Sequence, residues 1–370
     1  MKLYEYMGKD LFSQFEIPVP VGRVARTAEE VAKITEEIGS VVIKSQILSG
    51  KRGKAGGIKF TDNQLEAKNF AESLLGKELL GMQVHELLVE EKLTIDKEYY
   101  LAITVDGEMR CPVVLASLYG GMDIEEVPEE NMVKFPIDYR VGMLPFVAGE
   151  ITRRMGLGGS EAKQVRDILM NLYKMFVEID AELLEINPLV VSGDQVIAAD
   201  SKVTIDDEAL YRHPGLPYVD EKSISERKAH DLGLAYVELD GDIGVMANGA
   251  GITMATLDTI QHYGGRAANF LDAGGGAGEE ATAQAIALIL ERNPKAILIN
   301  IFGGITRCDD VANALVSVKK KQNIPVPVVI RLVGTNQEEG WRILKEAGID
   351  TFDTMHEAAE KVVLSAAMGE

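Results

Sequence analysis

From residue 242 onward the chain repeats one pattern: an apolar run, a cluster of glycines, then a stretch whose apolar positions recur at helical spacing. Ile243–Ala247, Ala267–Leu271, Ala296–Phe302 and Val326–Leu332 are predicted strands, while Glu279–Leu290, Val311–Lys320 and Met355–Ala367 fit amphipathic helices. Strands spaced roughly 25–30 residues apart pair in parallel through crossover helices, so this half reads as α/β. The earlier half has another texture, with turn dipeptides between strand-like runs and a long helical patch at Ala162–Ile179, and reads as α+β. There, Tyr99–Val105 and Glu108–Ser117 flank Asp106-Gly107, and Leu184–Val191 and Gln195–Ala199 flank Gly193-Asp194. Both are predicted hairpins on two-residue turns. Between the halves, Tyr211–Lys222 carries Pro214, Gly215 and Pro217 among charges, which predicts a boundary there and domains 1–217 and 218–370.

Composition narrows the class. A length of 370 residues exceeds what one core usually supports, and 46% hydrophobic with 26% charged residues is a folding composition. The net charge of −20 argues against nucleic acid or an anionic membrane as partner, since either needs clustered Lys and Arg. Any bound phosphate must therefore be held locally. Cys111 and Cys308 match no metal-binding spacing and read as reduced thiols. No basic-then-apolar leader follows Met1, and no run approaches the roughly 20 apolar residues of a membrane span, so a cytoplasmic location is expected.

The second hairpin carries the most chemistry. If Ser192 faces Gln195, then Asn187 faces Asp200 and Glu185 faces Lys202. A side-chain period of two puts all four on one face. Mg²⁺ prefers hard oxygen ligands and takes only one or two from protein beside phosphates and waters, which suits Asn187 with Asp200 as the metal pair. A bare hairpin of this kind equally accommodates a solvated Glu185–Lys202 salt bridge beside a surface Asn. Upstream, Lys44 ends the strand-like Val41–Ile43, and Ser49–Gly57 is a Gly/Lys/Arg loop containing Lys51, Arg52 and Gly53. Its glycines permit close backbone approach to phosphates, although it does not match GxxxxGK[ST] and a mobile solvated loop has the same composition. Leu87–Glu90 reads as a strand and Glu98 enters the next hairpin; either carboxylate could accept from ribose hydroxyls or be plain surface charge.

In the later half, the glycine turns at Asn248–Gly251, Asp272–Gly276 and Asn300–Thr306 all fall at carboxyl ends of predicted strands, the ligand edge of an open α/β sheet. Helix N-termini there can take an anion. The five histidines, His85, His213, His230, His262 and His356, are scattered and none lies in a glycine turn, so no histidine-based nucleophilic mechanism is visible.

In order along the chain, Leu3-Tyr4-Glu5-Tyr6, Ile17-Pro18-Val19-Pro20, Arg52-Gly53-Lys54-Ala55-Gly56-Gly57, Glu185-Ile186-Asn187-Pro188-Leu189, Asn248-Gly249-Ala250-Gly251, Asn269-Phe270-Leu271-Asp272 and Asn300-Ile301-Phe302-Gly303-Gly304-Ile305 occur at compatible spacing. Jointly they resemble the succinate–CoA ligase β-subunit family. The resemblance implies an N-terminal ATP-grasp domain and a C-terminal flavodoxin-like CoA-ligase domain. It implies ADP-forming acid–thiol ligation in the tricarboxylic acid cycle, with a partner α subunit in an αβ or α2β2 assembly. That subunit's histidine carries the phosphoryl group, and CoA binds mainly there while succinate is the acyl substrate.

The same resemblance assigns Lys44, Lys51, Arg52 and Gly53 to phosphates, and Glu90, Leu93 and Glu98 to other nucleotide contacts. Asn187 and Asp200 become the Mg²⁺ ligands, and Asn248, Gly304, Ile305 and Thr306 the substrate and phosphate site. Glu185 sits where it could orient the partner's histidine. Lys51 replaces a glycine of the family pattern, and Leu93 stands where relatives can have a small hydroxyl residue, so contact there would be through backbone. Pro20 resembles adenine-using members, with GTP remaining possible. A malate–CoA ligase β subunit and a self-sufficient ATP-grasp ligase also remain compatible with the sequence.

Overall fold

The computed structural model describes residues 1–220, 222–274, 279–304, 307–321, 324–349 and 351–368. The chain divides into two compact units, Met1–Glu221 and Lys222–Glu370.

The first unit is built on two antiparallel sheets. The four-stranded one runs Gly22–Ala25, Leu87–Glu91, Val41–Ser45, Ile58–Thr61. The helices Ala28–Ile38 and Gln64–Leu74 pack on it, burying Val31, Ile34, Ile43, Ala67 and Val89 in one core. Thr27 and Asn63 cap those helices with side-chain oxygens that accept from otherwise unpaired N–H groups. Fully burying an aliphatic side chain such as Ile43 stabilises by about 1.5–3 kcal/mol.

The larger sheet has six strands centred on Lys97–Asp106 and Ala181–Ser192. Its core includes Leu101, Ile103, Leu184 and Ile186, with Phe12 from the helix Glu5–Gln14 and Leu169 and Leu172 from the helix Gly159–Glu178.

Both hairpins form, with instructive differences. At Asp106-Gly107 the connection is not a two-residue turn. Asp106 pairs with Cys111, leaving a four-residue loop. The Asp106 side chain accepts from the N–H groups of Glu108 and Met109, and its carbonyl accepts from Arg110, so a local Asx turn replaced the tight turn. At Gly193-Asp194 the predicted register holds, with Ser192 opposite Gln195 and Glu185 opposite Lys202. The strand from Gln195 stops at Ala198, however, and pairing resumes only at Lys202. Asn187 and Asp200 therefore form no rung.

The second unit is a six-stranded sheet in the order Ala235–Glu238, Asn269–Asp272, Ile243–Ala247, Ala296–Gly303, Val328–Gly334, Thr351–Phe352. All neighbours are parallel except the first pair. Taken in chain order the parallel strands run 2-1-3-4-5, the flavodoxin-like order. Alternate side chains bury opposite faces: Val245 and Leu298 with Ile260 and Val362, and Ile297 and Ile299 with Leu288 and Leu315. The expected α/β and α+β multidomain class is thus the observed one.

The strand expected at Ala267–Leu271 begins at Asn269 instead, because Ala267 makes only an isolated bridge to Ile243. Asn269 is fully buried there, its amide accepting from the N–H and donating to the carbonyl of Val245. The antiparallel edge strand, only four residues long, left too short a pattern to be seen.

Candidate functional site

In the first unit the two sheets contribute to one cleft of about 400 Å³, lined by Lys44, Arg52, Gly53, Glu90, Leu93, Glu98 and Asp200. Those are seven of the residues singled out from the sequence, brought together from separate strands and loops. Apolar walls come from Pro20, Val42, Ile58, Phe60 and Ile95, so the cleft pairs a flat apolar part with a charged floor. No histidine is among the lining residues.

The floor is a buried ion cluster. Lys44 sits on the strand Val41–Ser45, every residue of which is buried, and its ammonium donates to Glu5 at 2.7 Å while lying 2.9 Å from Glu90. Lys9 donates to both Glu90 oxygens at 2.7 Å and lies 2.8 Å from Glu5. Both lysines also donate to the Ala199 carbonyl, at 2.8 and 2.7 Å. Ala199 keeps one bond to the neighbouring strand, its N–H donating to the Pro188 carbonyl at 3.2 Å, but Pro188 has no N–H to return and the lysines take the Ala199 carbonyl instead. Arg52 reaches Glu5 at 2.7 Å and Asp200 at 3.2 Å. Three cations thus face three carboxylates, which offsets a desolvation cost that any one of them alone would make prohibitive.

Burial opposes the charge on Glu5, yet Lys44, Lys9 and Arg52 hold its carboxyl well below the usual range. Burial likewise opposes the Lys44 charge, and Glu5, Glu90 and Asp200 outweigh it and push the ammonium up. Asp200 is different. Its side chain is 36% exposed, but the surrounding protein still desolvates the carboxylate and, with the Glu5 charge, pushes it up to about 6 against the pull of Arg52, Lys44 and Lys9.

Several expected roles change. Glu90 lines the cleft, but its buried carboxylate is turned to Lys9 and Lys44, which leaves it badly placed to accept from a ribose. Lys51 is not among the lining residues; its exposed ammonium lies 3.8 Å from Asp123, to which Lys54 donates at 2.9 Å. Glu185 does meet Lys202, at 3.8 Å, and also faces the buried Tyr100, whose hydroxyl burial and the Glu185 charge hold above its usual range. Asn187 spends its amide on the neighbouring loop, accepting from the Gly121 N–H at 2.7 Å and donating to the Met122 carbonyl at 3.0 Å. That loop lies so close to the Glu98 carboxylate that a Cβ on Gly121 would fall 2.6 Å from it, and its φ of +71° is one glycine adopts freely.

Glu5 and Lys9 were missed as site residues. As an i,i+4 pair early in an amphipathic helix they read as ordinary surface charges, and only the position of Glu5 in the first matched motif marked that segment.

A cation between Asn187 and Asp200 fits the donors present. A carbonyl oxygen accepting one N–H keeps a second lone pair, Asp200 opens on the cleft, and two hard oxygens are what Mg²⁺ takes from protein. Among the described residues no group of three His, Cys, Asp or Glu could hold a metal by itself.

In the second unit Asn248 and Gly304 lie at the point where the strand order reverses. The Asn248 amide donates to the Phe302 carbonyl and accepts from the Phe302 N–H, both at 2.9 Å, stitching the ends of two neighbouring strands. Asp272 accepts from the N–H groups of Gly249 and Gly274. The exposed Gly304 continues that edge, while Ile305, Thr306, Gly275 and Gly276 lie outside the described residues. The helix expected at Val311–Lys320 begins at Cys308.

No helix among the described residues is long and apolar enough to cross a membrane. The ATP-grasp domain family matches residues 2–191 and the CoA-ligase family residues 246–364. Along 98% of both chains the sequence is 44% identical to the succinate–CoA ligase [ADP-forming] subunit beta of Staphylothermus marinus. It is 45% identical to that of Rubrobacter xylanophilus over 98% of both chains, and 45% identical to that of Chloroflexus aurantiacus over the whole of both. A solved ATP citrate lyase from Methanothrix soehngenii, in complex with citrate and coenzyme A, shares the fold at a TM-score of 0.74 and 20% identity, covering 98% of this chain and 99% of that one. With the paired domains, the cleft and an identity this high from end to end, the chain belongs to the family of ADP-forming succinate–CoA ligase β subunits.

Proposed function

We propose that the cleft of the first unit binds ATP or ADP with Mg²⁺ and exchanges the terminal phosphoryl group with a histidine on a partner α subunit. The chain is a ligase of the acid–thiol class, acting in ATP + succinate + CoA ⇌ ADP + phosphate + succinyl-CoA. The observation that carries the nucleotide reading is the convergence of Lys44, Arg52, Gly53, Glu98 and Asp200 on a single cleft with an apolar wall and no histidine.

The base packs against Pro20, Ile58, Phe60 and Ile95, with the Leu93 backbone beside it. Glu98 accepts from the ribose. Lys44 and Arg52 meet the phosphates, aided by the backbone around Gly53, and their charge stabilises negative charge that shifts between oxygens during transfer. Asp200 and Asn187 would hold Mg²⁺, which when bound neutralises and orients the polyphosphate. Arg52 releases Asp200 as the phosphates arrive, an exchange favoured by the longer of its two ion pairs being the one to Asp200.

In the second unit, backbone N–H groups at the strand ends near Asn248 and Gly304 hold succinate and phosphate. The acyl phosphate formed there from the partner's phosphohistidine is attacked by the CoA thiol, releasing phosphate. Residues 218–370 also carry the surface for the α subunit, in an αβ or α2β2 assembly, and Glu185 orients the partner's histidine when it visits the cleft.

Co-expression with the candidate α subunit and incubation with γ-labelled ATP and Mg²⁺ tests this. Acid-labile label on the partner is the expected result, discharged by succinate with CoA. Ligation of CoA by the isolated chain would overturn the half-enzyme reading, and discharge by malate in preference to succinate would change the acyl substrate.

A further inference from the structure

We infer that Glu5 and Lys9, neither of which lines the cleft, are positioning residues that hold Lys44 and Arg52 ready for the nucleotide phosphates; this rests on reading the cleft as a phosphate site. Glu5 stands at the centre of the cluster. One of its oxygens takes the Lys44 and Lys9 ammonium groups at 2.7 and 2.8 Å, and the other takes Arg52 at 2.7 Å. Its side chain is 1% exposed, so it can act only through these partners.

Its own position is fixed by a separate set of contacts. Gly8, one turn along the same helix, packs so closely on Ser201 that a Cβ there would fall 2.5 Å from the Ser201 hydroxyl. That hydroxyl donates to the Glu5 carbonyl at 2.8 Å, and the Ser201 N–H donates to Asp200 at 2.7 Å. The helix that carries Glu5 is therefore fastened to the segment that carries Asp200. Lys9 completes the arrangement by donating to both oxygens of Glu90, so that Glu90, 2.9 Å from Lys44, is shared between the two ammonium groups.

The chemistry explains why such a device is useful. Lysine and arginine side chains are flexible, and ordering them during binding weakens affinity. A buried carboxylate shared between them orders both beforehand and lets them stand close together despite like charge. Lys44 and Arg52 both line the cleft, and each is held there by Glu5, which does not.

The test compares Glu5→Gln, Glu5→Asp and the double variant Glu5→Gln/Lys9→Met with wild type and Lys44→Met in the complex with the α subunit. ADP affinity by calorimetry, thermal midpoint, and kcat and KM for ATP are measured for each. Removing the charge-assisted bonds of Glu5 should weaken ADP by about tenfold or more and raise the ATP KM alike, in folded protein. Glu5→Asp, one methylene short, should recover only part. The double variant keeps the cluster neutral and guards against a failure to fold, and it should bind as weakly as Glu5→Gln. A purely structural role would lower the thermal midpoint and leave ADP affinity within about twofold, and that outcome overturns the inference. If Lys44→Met also leaves ADP affinity unchanged, the reading of the cleft fails instead.

Discussion

On the function proposed above, the two units hold anions in opposite ways. The first invests charged side chains: three cations and three carboxylates are folded into the floor of one cleft, most of them out of water. The second works with backbone. At its strand ends the polar side chains of Asn248 and Asp272 are already committed to main-chain groups, and what faces outward is a set of glycine turns. A polyphosphate with a divalent cation needs the first kind of site, because its charge must be matched and its geometry fixed. A small dicarboxylate and an inorganic phosphate can be held by N–H groups at helix and strand ends. The contrast also accounts for what neither site contains among the described residues, a nucleophile to carry the phosphoryl group between them.

The sharpest way to break that comparison is Lys44→Met. Removing one partner from a buried ion cluster costs about 3–5 kcal/mol, so the first unit should lose stability and nucleotide-dependent labelling should fall by about a hundredfold or more. Trp341, the single tryptophan of the sequence, reports the second unit, where its indole donates to the Leu332 carbonyl. Its unfolding signal should be unchanged; a matching loss in both units would mean that they are not energetically distinct.

Acid should separate the units next. Glu5 is depressed when folded, so its contribution is present above about 4.5, its value in the unfolded chain, and is lost as pH falls towards the folded value. Asp200 works the other way: raised to about 6, it costs stability at neutral pH and stops doing so once protonated. Of the two, only Glu5 loses a stabilising charge in acid. Carboxylates of the second unit that are held low, such as Asp309 beside Arg307, belong to surface pairs worth little. Below about pH 4, hydrogen exchange in the helix Glu5–Gln14 should accelerate before the Trp341 emission changes. The reverse order would contradict the assignment of the charge-dependent stability to the first unit.

The smallest of the three effects concerns the backbone site. Asn248→Ala removes the stitch to Phe302 and should slow succinate-dependent discharge of the labelled complex by about tenfold, at two neutral hydrogen bonds lost. ADP affinity should stay as in wild type. A change in ADP affinity would show that the two sites are coupled more closely than their chemistry requires.

The sequence made most of the local architecture legible. Alternation and a two-residue turn were enough to place Glu185 opposite Lys202, and glycine punctuation located the ligand edge of the second sheet. No rung forms between Asn187 and Asp200: Pro188 has no N–H to offer the Ala199 carbonyl, which accepts instead from Lys9 and Lys44, 190 and 155 residues away in sequence. Glu5 was illegible as a site residue for the same reason, since its partner Lys44 is 39 residues distant and nothing in a helical pattern distinguishes a buried acid from a solvated one. Side-chain amides were overestimated in a consistent way. Asn187 and Asn248 both commit their amides to main-chain groups, one holding a loop and the other a strand end.

The tie from Lys51 and Lys54 to Asp123 joins the two loops whose glycines, Gly53 and Gly121, both line the cleft. Both lysines are 70% exposed, so added salt weakens this clasp while hardly touching the buried cluster beneath it. Ionic strength should then loosen the link between the two loops before it disturbs the cluster, and nucleotide would enter and leave faster as salt rises.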